Sequence, residues 1–135
     1  MTVKETLTKA RDILAERGVN RNGWFVDPES CKVCAYGAVY LALGGKVTIN
    51  EYTELEFDPE TGYDVPVTVK DSDIGGYDWR AVEPVRKALN WALDDLGLHT
   101  PAWGHGIVTS YNDLTTSDDQ VLALFDHAIN NYNGE

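Results

Sequence analysis

Cys31-Lys32-Val33-Cys34-Ala35-Tyr36-Gly37-Ala38-Val39-Tyr40-Leu41-Ala42-Leu43-Gly44-Gly45 is the most apolar stretch of the chain, and its reading decides the fold. From Val33 to Leu43 it carries no charge. A helix without a polar side has no face to give to water, so other elements must wrap it. Ala35, Gly37, Ala38 and Ala42 place little beyond Cβ on its surface, which lets neighbours approach closely at some cost in helicity at Gly37. The expectation is a central helix over residues 31–43, introduced by Asp27 as N-cap and Pro28 in the first helical position and ended by Gly44-Gly45.

Outward from it, the flanking segments read as further helices. Thr2-x-x-Glu5 has capping-box spacing, and Val3, Leu7, Ala10, Ile13 and Leu14 follow at helical intervals until Gly18. Asn20-Arg21-Asn22-Gly23 is turn chemistry, and Trp24-Phe25-Val26 is a short aromatic plug for one end of the core. Val82, Val85, Leu89, Ala92, Leu93 and Leu96 form one stripe, with Pro84 in the first turn and Gly97 as the stop. Residues 99–112 read as a loop with a short strand at Ile107-Val108-Thr109. Ser117-x-x-Gln120 then opens a last helix with Asp118 and Asp119 at its positive end.

Between residues 46 and 71 the period changes. Val65, Val67 and Val69 alternate with Asp64, Pro66 and Thr68, and Leu55 and Phe57 flank Glu56 in the same manner. Asp58-Pro59-Glu60-Thr61-Gly62 supplies the turn. The reading is a β-hairpin, with a helical turn over residues 50–55 as the alternative, and Pro66 needs a place where its missing N–H is not called upon. The fold class is thus mainly α with α+β character: about four helices around a central apolar helix, one domain over residues 1–135, and an acidic hairpin inserted at about 46–71.

A chain of 135 residues can bury a core without metal or disulfide staples, and 43% apolar against 24% charged residues is the balance of a globular protein. No apolar run approaches membrane-spanning length, and the N-terminal residues lack the pattern of a secretory leader, so a cytoplasmic protein is expected. The net charge is −11 and unevenly placed. Residues 51–78 carry nine carboxylates against Lys70 alone, and so hold eight of the eleven excess negative charges. Such a field repels a phosphate backbone, which argues against nucleic acid, and attracts a basic partner. A solvated face that only confers solubility is the plainer reading of the same charges.

Several residues together resemble an uncharacterised family of actinobacteria and their bacteriophages. They are Leu7 with Ala10, Gly23-Trp24, Cys34-Ala35-Tyr36-Gly37-Ala38, and Tyr111-Asn112-Asp113 leading to Val121-Leu122-Ala123-Leu124-Phe125-Asp126-His127-Ala128. The resemblance covers both ends and leaves residues 46–78 unexplained; Tyr111 stands where the family has Trp, and Ser117 where it has Thr. It implies a small, mainly helical domain in a host or phage setting, and no activity.

Four constellations invite chemistry. Cys31-x-x-Cys34 has redox spacing, but no βαβ pattern surrounds it and the nearby charge is negative, which disfavours thiolate. With His99 and His105 the two cysteines make a Cys2His2 set, yet 64 residues separate Cys34 from His99, far more than a finger allows, so no metal is expected. Cys34 as nucleophile, His105 as base and Asn112 or Asp113 as orienting group follow the order of papain-like hydrolases, against the plainer reading of a core cysteine and an Asx turn. The acidic run at residues 71–78 lacks EF-hand spacing. The favoured function is a non-enzymatic, phage-encoded protein-binding domain without cofactor. Glu51, Glu54, Glu56, Asp58, Glu60 and the anchor Trp103 would meet a basic host or phage protein; the alternative is a hydrolase using Cys34, His105 and Asn112.

Overall fold

The computed structural model describes residues 1–98 and 107–133. They form five α-helices and one antiparallel two-stranded sheet, a mixed α+β fold. Helix α1 spans Val3–Arg17 and starts on the Thr2/Glu5 capping box, each partner satisfying the other's backbone N–H at 3.1 Å. It stops at Gly18, whose φ of 87° suits a residue without Cβ.

The helix expected over residues 31–43 is shorter, α2 at Ala35–Ala42. Cys31 adopts a φ of 62°, which a helix does not accept, so Asp27-Pro28 opens only a turn. Val33 instead forms isolated β-bridges to Val19 and Val26, and the backbone there is satisfied by Asn20 N–H to Val33 O at 2.8 Å and Asp27 N–H to Lys32 O at 2.8 Å. The aromatic plug is likewise corrected: Val26 is fully buried, while Trp24 and Phe25 stay exposed.

Strands β1 (Lys46–Asp58) and β2 (Tyr63–Gly75) pair in unbroken antiparallel register from Lys46↔Gly75 to Asp58↔Tyr63. The hairpin therefore runs four residues beyond the expected end at 71, and residues 50–55 are strand, not a helical turn. A short 3-10 turn, Trp79–Ala81, leads into α3 (Val82–Asp95). Helix α4 covers Ile107–Leu114, where β-branched Ile107-Val108-Thr109 reads as strand from sequence; Val108 is buried in the core, which overrides its local preference. Helix α5 (Asp118–Asn131) starts on the Ser117/Gln120 capping box.

Leu7, Ala10 and Leu14 of α1, Ala35, Ala38, Val39 and Ala42 of α2, Val85, Ala88, Leu89, Ala92 and Leu93 of α3, Val108, and Val121, Leu124, Phe125 and Ala128 of α5 join in one buried cluster. Helix α1 packs on both α2 and α5, α3 on α5, and α2 also meets α3 and α4. Ala38 is fully buried, as a small residue at a close helix approach should be. Gly37 marks a close approach: a Cβ there would lie 2.0 Å from the Phe25 carbonyl oxygen. Among the described residues no helix is long and apolar enough to cross a membrane.

Candidate functional site

Among the described residues, the hairpin is joined to the helical body through the root-side half of its strands. Ile74, 5% exposed, belongs to the core cluster, and Val47 packs against it. The Ser72 hydroxyl donates to the Val26 carbonyl, and Lys70 Nζ lies 3.6 Å from Glu29 Oε2. Gly45 permits this junction, since a Cβ on it would meet Ile74 Cγ2 at 2.6 Å and the Tyr40 carbonyl at 2.7 Å. On the exit side Tyr77 stacks on Tyr40 with ring centres 4.3 Å apart, Phe25 meets Tyr40 edge-on at 5.2 Å, and Asp78 N–H donates to Leu43 O at 3.2 Å. Both roots of the hairpin are thus pinned to the end of α2.

Beyond the root the hairpin is an arm. Thirteen residues per strand, root included, extend roughly 40 Å at the usual rise. Every residue of β1 from Thr48 to Phe57 is exposed, and β2 is covered only in part. Paired residues share a face, so one face carries Tyr52, Glu54, Glu56 and Asp58 beside Val69, Val67, Val65 and Tyr63. The other carries Ile49, Glu51, Thr53, Leu55 and Phe57 beside Ser72, Lys70, Thr68, Pro66 and Asp64. Leu55 and Phe57 on one face and Tyr63 on the other are 71%, 62% and 75% exposed, an unusual display of large apolar side chains near one tip.

The five carboxylates picked out from sequence therefore do not form one patch. Glu54, Glu56 and Asp58 share a face; Glu51 lies on the opposite one, 4.0 Å from Lys70; Glu60 sits in the end turn, where its N–H donates to Asp58 Oδ1 at 3.0 Å. Trp103 lies outside the described residues, and so do His99 and His105. The exposed apolar set Leu55, Phe57 and Tyr63 is the part that charge counting overlooks. The alternation of Leu55 and Phe57 about Glu56 is its trace in the sequence.

Cys34 and Asn112 both meet the first turn of α2. Cys34 is the N-cap of α2, 7% exposed, and its Sγ accepts from Gly37 N–H at 3.3 Å. Burial pushes its thiol up from the ordinary cysteine range, against the weaker pull of the Gly37 and Tyr36 backbone N–H groups. Asn112, 1% exposed, accepts from Ala35 N–H at 3.0 Å and donates to Asn20 O at 2.9 Å and Asp113 Oδ1 at 3.1 Å. A network continues outward through Thr115 Oγ1, which donates to Asn112 O at 2.7 Å and accepts from Arg21 Nε at 2.9 Å, to the Arg21–Asp118 ion pair at 3.1 Å. Its amide thus ties the start of α2 to the 20–24 turn by bonds to backbone at both ends. A nucleophile needs thiolate and access, and the burial of Cys34 disfavours both. Cys31 is exposed. Among the described residues no three His, Cys, Asp or Glu side chains are grouped to hold a metal.

Elsewhere, His127 Nε2 lies 2.7 Å from Asp95 Oδ2, with its ring stacked on Trp91 at 5.7 Å. This pair joins α3 to α5 across 32 residues, a contact no local pattern announces. A shallow hollow of about 430 Å³ lies beside the first turns of α1, lined by Met1, Lys4, Glu5, Thr8, Lys9, Asp12 and Ile129.

No curated protein and no solved structure matches the chain. A family model described as a family of unknown function, DUF6197, matches residues 1–131, which takes in the arm as well as both helical ends. The chain belongs to this family of unknown function, DUF6197.

Proposed function

We propose that the protein is a non-enzymatic binding domain whose acidic arm engages a basic partner protein. One observation carries this reading: the arm projects from the body with Leu55, Phe57 and Tyr63 exposed among carboxylates. Two strands alone are marginal in water, and an uncovered apolar surface of this kind is costly unless it is used. Residues 46–75 hold eight carboxylates against Lys46 and Lys70, so the surface selects a positively charged occupant. It repels both nucleic acid and another copy of itself. The setting implied by the resemblance makes the partner a protein of the host or of its phage. The hydrolase reading gains no support from a buried, capping Cys34 and an Asn112 bonded to the backbone of Ala35 and Asn20.

The test is quantitative capture from a host lysate with the parent protein and with a Leu55→Thr, Phe57→Thr, Tyr63→Thr variant. Thr preserves strand propensity while removing apolar area. The expected result is a basic protein held by the parent, released by salt and lost with the variant. Equal retention of the same proteins by both would refute the reading.

A further inference from the structure

The arm has two free edges, and they are not equivalent. Pairing of β1 with β2 continues unbroken through Leu55↔Pro66 although Pro66 has no N–H to donate. In an antiparallel ladder, pairs that exchange hydrogen bonds alternate with pairs whose backbone groups point away from the partner strand. Leu55↔Pro66 must be of the second kind. The same parity then makes Ile49, Glu51, Thr53, Leu55 and Phe57 turn their N–H and C=O groups to the outer edge of β1. Pro66 interrupts the corresponding row on β2, and that strand is also the one drawn towards the body through Lys70–Glu29 and Ser72–Val26. Among the described residues, no backbone hydrogen bond reaches the outer groups of β1 between Ile49 and Phe57.

We infer that the partner adds an extended segment to the free edge of β1, alternating basic and apolar residues, so that the arm becomes a three-stranded sheet. This rests on the reading of the arm as the binding surface, and it specifies the form of the occupant. The alternation follows from the faces. An added strand sends every second side chain to the face of Glu54, Glu56 and Asp58, where Lys or Arg is matched. The intervening ones go to the face of Leu55 and Phe57, where an apolar residue is matched. A third strand also turns a marginal two-stranded arm into a sheet of stable size. A second copy is the wrong occupant, because pairing edge to edge would set its own Glu54, Glu56 and Asp58 on the face that already carries these carboxylates.

The probe is the capped heptapeptide Lys-Val-Lys-Val-Lys-Val-Lys, with the block isomer Lys-Lys-Lys-Lys-Val-Val-Val as a control of equal charge. Affinity is measured by titration, and amide hydrogen exchange is read residue by residue on the whole protein. The alternating peptide should bind at least about tenfold more tightly than the block isomer, the worth of one or two net hydrogen bonds. In its complex the amides of Glu51, Thr53 and Leu55 should exchange at least about tenfold more slowly, while those of Tyr52 and Glu54, already in the ladder, change little. Thr53→Pro removes one outward donor without touching charge or the ladder, and should cost about tenfold in affinity. An alternating peptide N-methylated on its valines, tested on the unaltered protein, gives the same loss without any risk to folding. Equal affinity for the two isomers, with both weakened by Glu54→Gln and Glu56→Gln, would overturn strand addition and leave the acidic binding surface standing. Failure of both peptides to bind, or binding indifferent to those two substitutions, would overturn both. Dimerisation of the protein by itself at the concentrations used would overturn the choice of occupant.

Discussion

Replacing Gly37 by Ala tests whether α2 is held against the 24–26 segment as tightly as the structure requires. An added Cβ would stand 2.0 Å from the Phe25 carbonyl oxygen and 2.9 Å from its carbon, both backbone atoms that no side-chain rotation can move. The two backbones must part by on the order of 1 Å, an overpacking cost of about 1–3 kcal/mol in a densely filled interior. The same Phe25 oxygen accepts from Cys34 N–H at 3.1 Å, so parting also weakens that bond, for a further ~1 kcal/mol. Ala in place of Gly returns ~1 kcal/mol of helix propensity. The balance is a loss of about 2 kcal/mol, or roughly 8 °C in the unfolding midpoint for a chain of this size. Gly75→Ala is the control, since nothing lies within 4 Å of a Cβ there, and it should stay within about 0.5 kcal/mol of the parent. Thermal and denaturant unfolding followed by circular dichroism give both values. A Gly37→Ala midpoint equal to or above that of the parent would refute the close approach and with it the placement of α2.

Asn112→Ala should destabilise by about 3 kcal/mol, because Ala35 N–H and Asn20 O are left buried without partners; urea unfolding measures it. In the native protein Cys31 should react with iodoacetamide and Cys34 should not, as mass spectrometry of the labelled peptides would show, because only the former is exposed and burial holds the latter as thiol. Tyr36 is pushed up to about 12, chiefly by burial and against the opposing charge of Arg86. In the unfolded chain it ionises near its ordinary value of about 10, so between these limits the unfolded state releases the proton first and stability falls as pH rises. Ultraviolet titration should find a tyrosine ionising at about 12 that is missing from Tyr36→Phe, and the same substitution should flatten the fall.

Features whose cause is local were legible in the residues. The capping boxes Thr2/Glu5 and Ser117/Gln120 announce α1 and α5, and the period of two in Val65, Val67 and Val69 announces the hairpin. Pro84 falls in the first turn of α3, where its missing N–H costs nothing. What was not legible depends on contacts across the chain. The single-residue bridges of Val33 to Val19 and Val26 have no period to detect, yet they keep residues 31–34 out of helix α2. The β-branched start of α4 imitates a strand until burial of Val108 decides for helix. At the candidate site, chain order grouped Cys34 with Asn112, and both do bond the first turn of α2, but the burial and capping bond of Cys34 have no trace in that order. Charge counting found the acidic arm; the register was needed to divide Glu54, Glu56 and Asp58 from Glu51 and to set Leu55 and Phe57 on an open face.

The central claim is that the arm steers and holds a basic protein, and the association rate measures it most directly. The partner recovered by capture is mixed with the parent and with a Glu54→Gln, Glu56→Gln, Glu60→Gln variant, at low and at near-physiological salt. All three residues are exposed, so the variant should fold with nearly unchanged stability. The predicted result is a slower association for the variant at low salt, by about tenfold or less, and a gap that narrows as salt screens the field. Equal rates for parent and variant at both salts would contradict the account and return the arm's charges to a solvated surface.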